Sequence, residues 1–305
     1  MYIPHRPPAI ITYELSKNFK GHNAVQGLNL CIEPGNIYGF LGPNGSGKST
    51  TMKMLLGITE PSSGSIEIFG QELTPSSRPS LLASVGSMIE APAGYAHLTG
   101  RENMNIIKSM LNLSDTQIDD ALTTVRLKQH QNKLVKNYSL GMKQRLGIAL
   151  ALAREPQLLI LDEPTNGLDP SGIEEIRRLL IDLADQGITV MVSSHLLDEI
   201  EKMATTLGIL HQGRMIFQGT REELFNHSTP DLILDTPDPQ GLLSLNIPGA
   251  YISKRQVHIP NLSSPDAAEV IRCAVNHQID IYSAYRAPQN LESIFMDLTA
   301  GGGLL

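Results

Sequence analysis

Gly42-Pro43-Asn44-Gly45-Ser46-Gly47-Lys48-Ser49-Thr50 fits the phosphate-loop pattern G-x-x-x-x-G-K-[ST], in the context that pattern requires. The apolar run Ile37-Tyr38-Gly39-Phe40-Leu41 precedes it as a strand, and Thr51-Met52-Lys53-Met54-Leu55-Leu56 follows it as a helix. The residue types have a physical reason. Glycines let the backbone wrap closely around a phosphate, while successive N–H groups and the positive end of the helix attract the anion. Lys48 then reaches the terminal phosphates, and Ser49 is placed to ligate Mg²⁺. A Gly-rich turn with a solvated lysine is the competing explanation, and the full motif between strand and helix outweighs it.

Working outward, Gln157-Leu158-Leu159-Ile160-Leu161-Asp162-Glu163-Pro164 is the second chemical element. Four consecutive large aliphatics predict a strand buried on both faces, as in a parallel sheet, with two carboxylates where it emerges. Ligands of open α/β sheets bind at that carboxyl edge. Asp162 can hold Mg²⁺ through water, and Glu163 can polarise an attacking water; a polar turn closing the strand is the alternative. Ile188-Thr189-Val190-Met191-Val192 predicts another buried strand, which delivers Ser193-Ser194-His195 to the same edge. There His195 is read as a γ-phosphate contact, against the commoner structural histidine.

Three further positions carry two explanations each. Phe19 fits an adenine-stacking face or an ordinary packed aromatic. Ser139 opens a helix whose continuation over 146–153 is apolar nearly all round and therefore buried, and an N-cap is its plain role. Asp169 before Pro170 makes a sound N-cap with Pro at N1, equally matched against a functional role.

Composition excludes several classes. The 305 residues carry a net charge of −7 with no basic block, which argues against nucleic acid as the main partner. Cys31 and Cys273 alone make neither a disulfide framework nor a metal site, and fit a reducing, cytosolic compartment. Met1 to Pro8 lacks the apolar core of a signal peptide, and no apolar run approaches a membrane span. The chain is not expected to enter a bilayer by itself.

Taken together and in this order, these residues resemble the ATP-binding subunit of ABC transporters, over roughly the first three quarters of the chain. The resemblance implies an α/β fold: a P-loop ATPase cassette with a parallel-sheet core, an antiparallel β subdomain and a helical signature subdomain. It implies that Gly42 to Thr50 is the Walker A loop, Asp162 the Walker B carboxylate, Glu163 the catalytic base and His195 the switch histidine. Phe19 falls where the family puts its adenine-stacking aromatic, and Asp169 matches the D-loop aspartate at the dimer contact. In place of L-S-G-G-Q the chain has Tyr138-Ser139-Leu140-Gly141-Met142. Ser139 and Gly141 remain to meet a γ-phosphate across a dimer, while the glutamine contact is lost, because a thioether is only a weak acceptor.

Glu90, in Met88-Ile89-Glu90-Ala91-Pro92, stands where most members carry a Mg²⁺-sensing glutamine. With Leu98-Thr99-Gly100-Arg101-Glu102-Asn103 after it, this variant resembles the bacitracin-resistance and lantibiotic self-protection subset. A carboxylate can ligate metal-bound water but cannot donate an amide's hydrogen bonds. The resemblance implies ATP and Mg²⁺ as cofactors, a sandwich of two ATP-binding subunits, a homodimer by default, and a separate membrane permease docked near the Glu90 loop. The chain is then expected at the cytoplasmic face of the membrane, powering export of a peptide antibiotic. Export of another drug or lipid-like substrate is the runner-up. A soluble ABC ATPase acting on ribosomes or DNA usually carries two cassettes or a long coiled coil, and neither a repeat nor sustained heptads occur. A phosphate-loop kinase leaves Ser139, Asp169 and His195 unexplained.

The remaining pattern predicts strands at 10–15 and 26–32, a buried strand over 81–90 ending on Glu90, and breaks at Pro92, Gly94 and Gly100. One helical stretch is expected over 101–131 and a hairpin over 207–217. Asn226-His227-Ser228-Thr229-Pro230 is linker-like. Residues 1–225 are thus expected as the ATP-binding domain and 226–305 as a small accessory α+β domain. That domain should hold strands at 232–234, 256–259 and 279–282, a helix through 267–271, and a last helix bearing Leu291, Ile294, Phe295 and Leu298. Gly301 to Gly303 should fray.

Overall fold

The structure is a computed structural model that describes residues 7–90, 94–226, 230–260, 262–287, 291, 294 and 295. The expectations for Met1 to Arg6, Pro92, the linker at 227–229, Leu298 and Gly301 to Gly303 lie outside the described residues. The chain begins with β1 (Ile10–Phe19), β2 (His22–Leu28) and β3 (Cys31–Ile32), all antiparallel. It continues through β4 (Ile37–Leu41), the helix Lys48–Leu55, β5 (Ser63–Ile68), β6 (Gln71–Glu72) and β7 (Val85–Met88). After the helices Gly100–Leu111, Asp115–Thr124 and Leu140–Leu152 come β8 (Leu158–Leu161), the helix Pro170–Asp185 and β9 (Thr189–Ser194). The hairpin β10 (Thr206–His211) and β11 (Arg214–Thr220) follows.

Strands with no polar alternation lie at the centre. β4, β8 and β9 are buried along their whole length, which requires cover on both faces. They form a six-stranded sheet in the order β11-β10-β4-β9-β8-β7, parallel from β10 to β7. Register places the function. Leu41 pairs with Ser194 and Ile209, while Leu161 pairs with Val192 and Met88. The residues that follow, Gly42, Asp162, His195 and Glu90, therefore leave the sheet at one edge. A second, antiparallel sheet has the order β2-β1-β5-β6 with β3 on β1. One core of buried side chains, from Ile10 and Val25 through Phe40 and Met52 to Ile160 and Met191, joins this sheet to the first.

The helical stretch divides where the backbone demands it. Thr99 with Glu102, and Ser114 with Gln117, form capping boxes that start two separate helices. Asn112 at φ +54° ends the first, so the expected single stretch over 101–131 is two helices and a short 3₁₀ turn. Gly100 is the first residue of the first helix, not a break. The expected strand over 81–90 begins only at Val85, because Arg78–Leu81 and Leu82–Ser84 are helical turns. The expected strand over 26–32 is interrupted at Asn29-Leu30, with β2 starting earlier, at His22.

The chain separates into two compact units between Arg221 and Glu222. The second holds β12 (Leu232–Asp235), the helix Pro239–Leu243, β13 (Tyr251–Ser253), β14 (Gln256–Ile259), the helix Ser264–Asn276 and β15 (Ser283–Arg286). Its order, β13-β14-β12-β15, is antiparallel throughout. This is the β-α-β-β-α-β split arrangement, closed over its own core of Leu232, Leu234, Leu242, Val257 and Ile259. Lys254 and Arg255 both take positive φ between β13 and β14, as a two-residue type I′ hairpin requires. The last strand is Ser283–Arg286, not the apolar 279–282, and Ile279 serves the core instead.

One hydroxyl spans the interruption between β2 and β3. Thr12, 1% exposed, donates to the Leu28 carbonyl at 2.7 Å and accepts from the Leu30 N–H at 2.8 Å. Thr12→Val removes both bonds from these backbone groups, and should destabilise the first unit by about 1–3 kcal/mol in denaturant unfolding. An unchanged midpoint would show that water replaces the hydroxyl.

Candidate functional site

The phosphate loop is shaped by positions that exclude a side chain. Gly47 has φ +109°, and a Cβ there would collide with the Ala24 carbonyl oxygen of β2. At Gly42 it would strike the Leu210 carbonyl oxygen of β10. The β10–β11 turn braces the loop, since Gly213 N–H donates to the Ser46 carbonyl at 2.9 Å. The helix Lys48–Leu55 starts at Gly47 with neither a side-chain cap nor an acidic residue in its first turn. Its N–H groups and positive end are thus left to an anion.

Lys48 is 6% exposed and donates to the carbonyls of Gly42 at 2.7 Å and Pro43 at 3.2 Å. Burial draws the ammonium below the ordinary lysine range, while the carboxylates of Glu163 and Asp162 pull the other way. The Ser46 hydroxyl is buried with no hydrogen-bond partner among the described residues. It is a polar group at the floor of the loop left without a partner among these residues.

Across from the loop, Asp162 is buried at 4% exposure, and its Oδ1 accepts from the Ser193 hydroxyl at 2.5 Å. Glu163 sits at φ +50°, a left-handed conformation unusual for glutamate. Its N–H donates to Ser193 Oγ at 2.9 Å, and its Oε2 lies 2.6 Å from His195 Nδ1. Lys48, Asp162, Glu163 and His195 thus converge. A carboxylate bonded to Nδ1 orients the imidazole and leaves Nε2 for another group.

The other positions lie around this centre. Glu90 leaves β7 beside Asp162, whose N–H donates to the Met88 carbonyl at 2.8 Å; its carboxylate is ion-paired with Lys53 on the loop helix. Phe19 ends β1 with 47% of the residue exposed, and Lys17 Nζ stands 5.0 Å over its ring. Ser139 caps its helix, accepting from Met142 N–H at 3.2 Å. Asp169 caps the helix Pro170–Asp185 through Gly172 N–H at 3.3 Å. Among the described residues no hydrogen bond joins Ser139, Gly141 or Asp169 to the phosphate loop of the same chain. Sequence pattern does not single out Ser193 or Lys53; the one available signal was the pair of serines, Ser193 and Ser194, that follows the apolar run Val190 to Val192.

Ser49 with Asp162 and Glu90 offers an all-oxygen donor set, and the Ser49 hydroxyl has no hydrogen-bond partner among the described residues. Among those residues no group of three or more His, Cys, Asp or Glu could hold a metal by itself. Mg²⁺ takes one or two carboxylates and completes its shell with phosphate oxygens and water.

Comparison with known proteins follows the same line. Residues 25–166 match the profile of a family described as ABC transporter. The chain is 39% identical to the bacitracin transport ATP-binding protein BcrA of Bacillus licheniformis over 300 residues, covering 96% of this chain and 98% of that protein. It is 42% identical over 219 residues to the lantibiotic transport ATP-binding protein SrtF of Streptococcus pyogenes, covering 70% of this chain and 94% of that one. Among solved structures, cbiO1 of Clostridium perfringens, part of an ABC transporter complex, superposes with a TM-score of 0.67 at 28% identity, covering 80% of this chain and 96% of that one.

The buried lysine gives a pH effect of definite sign. Its pKa is lowered from the ordinary 10.5, so just below that value the folded state binds fewer protons than the unfolded one and stability rises with pH. Lys48→Met lacks this contribution. Denaturant unfolding of both proteins from about pH 8 to pH 10.5 should show the difference moving in favour of wild type as pH rises; a pH-independent difference would contradict the burial argument.

Proposed function

Given that the chain belongs to the family of ABC transporter ATP-binding proteins, we propose that it hydrolyses ATP to power export of a peptide antibiotic, of the bacitracin or lantibiotic kind, through a separate membrane permease. The observation that carries the chemistry is the Glu163–His195 contact of 2.6 Å beside the buried pair Asp162 and Lys48. The substrate class is supported by the bacitracin and lantibiotic transport relatives.

In this reading the γ-phosphate lies on the loop N–H groups and the Lys48 ammonium, with Gly42 to Thr50 enclosing the phosphates. Glu163 takes the proton of the attacking water, and His195 presents Nε2 to the γ-phosphate because Nδ1 is held by Glu163. Mg²⁺, held by Ser49 and by Asp162 and Glu90 through water, would neutralise phosphate charge. Phe19 stacks the adenine on the ring face away from Lys17. Ser139 and Gly141, which among the described residues make no hydrogen bond to the phosphate loop of their own chain, complete the site of a second copy, and Asp169 lies at that contact. ATP closes the pair of subunits and hydrolysis reopens it. No described helix is long and apolar enough to cross a membrane. In this reading a separate permease carries the transported compound and holds the chain at the cytoplasmic face.

Glu163→Gln should lower ATP turnover by about a hundredfold or more while ATP affinity is retained, and should trap an ATP-dependent dimer. Turnover at the wild-type rate would remove Glu163 from the role of base. The substrate class is read by survival of a sensitive bacterial host in bacitracin and a lantibiotic panel, with the permease co-expressed. Protection lost in Glu163→Gln supports peptide-antibiotic export; no protection from an assembled, ATP-hydrolysing complex would favour another drug or a lipid-like substrate.

A further inference from the structure

The deepest polar contact at the carboxyl edge belongs to a residue with no role in the mechanism above. Ser193 is 0% exposed and sits in β9, between the strand that feeds the phosphate loop and the strand that ends on Asp162. Its Cα pairs with Phe40 of β4. On the other side Val192 pairs with Leu161, so the next step of the register sets Ser193 beside Asp162.

Its two hydrogen bonds have fixed directions. Glu163 N–H can only donate, so Ser193 Oγ accepts there at 2.9 Å. The single hydroxyl proton is then given to Asp162 Oδ1 at 2.5 Å, a charge-assisted bond. One hydroxyl therefore fixes the rotation of the Asp162 carboxylate, leaving Oδ2 uncommitted by it, and anchors the left-handed backbone of Glu163 at φ +50°. Such a conformation persists in a non-glycine residue only when its surroundings over-determine it. Two residues further along the same strand end, His195 holds the Glu163 side chain at 2.6 Å.

We propose that Ser193 is a positioning residue that locks the metal carboxylate Asp162 and the base Glu163 into one unit, so that metal affinity and the placement of the base depend on a single buried hydroxyl. This rests on the roles proposed above for Asp162 and Glu163. Ser193 acts through Asp162 and Glu163, to which both of its hydrogen bonds go. Ser193→Ala deletes the donor to Asp162 and the acceptor of Glu163 N–H together. Ser193→Thr keeps the hydroxyl on a side chain suited to a strand, and Ser193→Cys keeps the size with only a weak donor.

The experiment measures Mn²⁺ binding by paramagnetic resonance in the presence of ATP, nucleotide binding in EDTA, and steady-state kcat and KM, for these variants and Asp162→Asn. Ser193→Ala should raise the Mn²⁺ half-saturation about tenfold and lower kcat by at least that factor, matching loss of one hydrogen bond to a charged group. Metal-free nucleotide binding and KM for ATP should stay within about threefold of wild type, well under one tenfold step. Ser193→Thr should recover both quantities and Ser193→Cys should fall between. A merely structural role would shift metal-free binding and thermal melting together with kcat, and Thr would then not rescue; that result, or wild-type Mn²⁺ affinity in Ser193→Ala, overturns the proposal. Should Ser193→Ala fail to fold, wild-type Mn²⁺ affinity and kcat in Ser193→Cys overturn it equally. If Asp162→Asn also binds Mn²⁺ as wild type does, it is the assignment of Asp162 that fails, and this proposal with it; loss in Asp162→Asn alone discards Ser193 and leaves Asp162 in place.

Discussion

The Lys48 ammonium is withdrawn from water between the carbonyls of Gly42 and Pro43, facing the carboxylates of Glu163 and Asp162, and the surrounding structure answers to that burial. A buried cation is disfavoured by desolvation unless opposite charge and hydrogen bonds surround it. The loop supplies the carbonyls only in its left-handed turns, which Gly45 and Gly47 make possible. Those turns hold because β2 and the β10–β11 hairpin close on them from outside, through Ala24 and Gly213. The antiparallel sheet is thereby part of the site, although it contributes few of its reacting groups. A helix start without an acidic residue keeps the neighbourhood positive toward an arriving phosphate.

Parallel register turns this local requirement into chemistry. Neighbouring strands that are far apart in sequence deliver a lysine loop, a carboxylate pair and a histidine to one edge, and no long loop is needed to gather them. Three carboxylates there are each held by a neighbour from another element. Asp162 is tied to β9 through Ser193, Glu163 to the same strand end through His195, and Glu90 to the loop helix through Lys53. The Glu90 pair is exposed and its energy is small, so it orients the carboxylate without trapping it. The Asp162 bond is buried, where an unmade partner is far more costly. The edge therefore joins one carboxylate held by a buried bond to one held by an exposed ion pair.

What was legible in the sequence was legible for a reason. Runs such as Leu158 to Leu161 have no polar alternation, so their burial on both faces, and the edge at which their carboxylates emerge, follow from pattern alone. The phosphate loop is a contiguous motif and carries its own context. Ser193 was not legible, because its partners are 30 and 31 residues away and become neighbours only through strand order. The apolar stretch before Val85 was misread because apolar runs of that length suit helix and strand equally. The break at Asn112 turned on one left-handed residue, and the last strand formed where Ser283 to Arg286 pair with β12 while the more apolar Ile279 was drawn into the core. At the last strand tertiary placement overrode local preference, whereas at Asn112 the deciding features, the two capping boxes and one left-handed residue, are local.

Ser139 and Asp169 show why a structural explanation and a functional one need not compete. Each caps a helix by accepting a backbone N–H, which is all that the local sequence demands. Yet the two caps are neighbours. Leu168 stands against Gly141, and a Cβ at Gly167 would lie 3.1 Å from Leu140 Cδ2. Arg145 on the Ser139 helix also reaches Glu175 on the Asp169 helix at 3.8 Å. The start of the signature helix therefore rests on the segment that joins Glu163 to Asp169, and this packing is complete within one chain. A helix start already capped by its own serine can meet an anion without refolding, because the approaching charge finds N–H groups in fixed directions. In the proposed dimer the surface offered to the partner's nucleotide would thus be preformed by the same contacts that stabilise the free subunit.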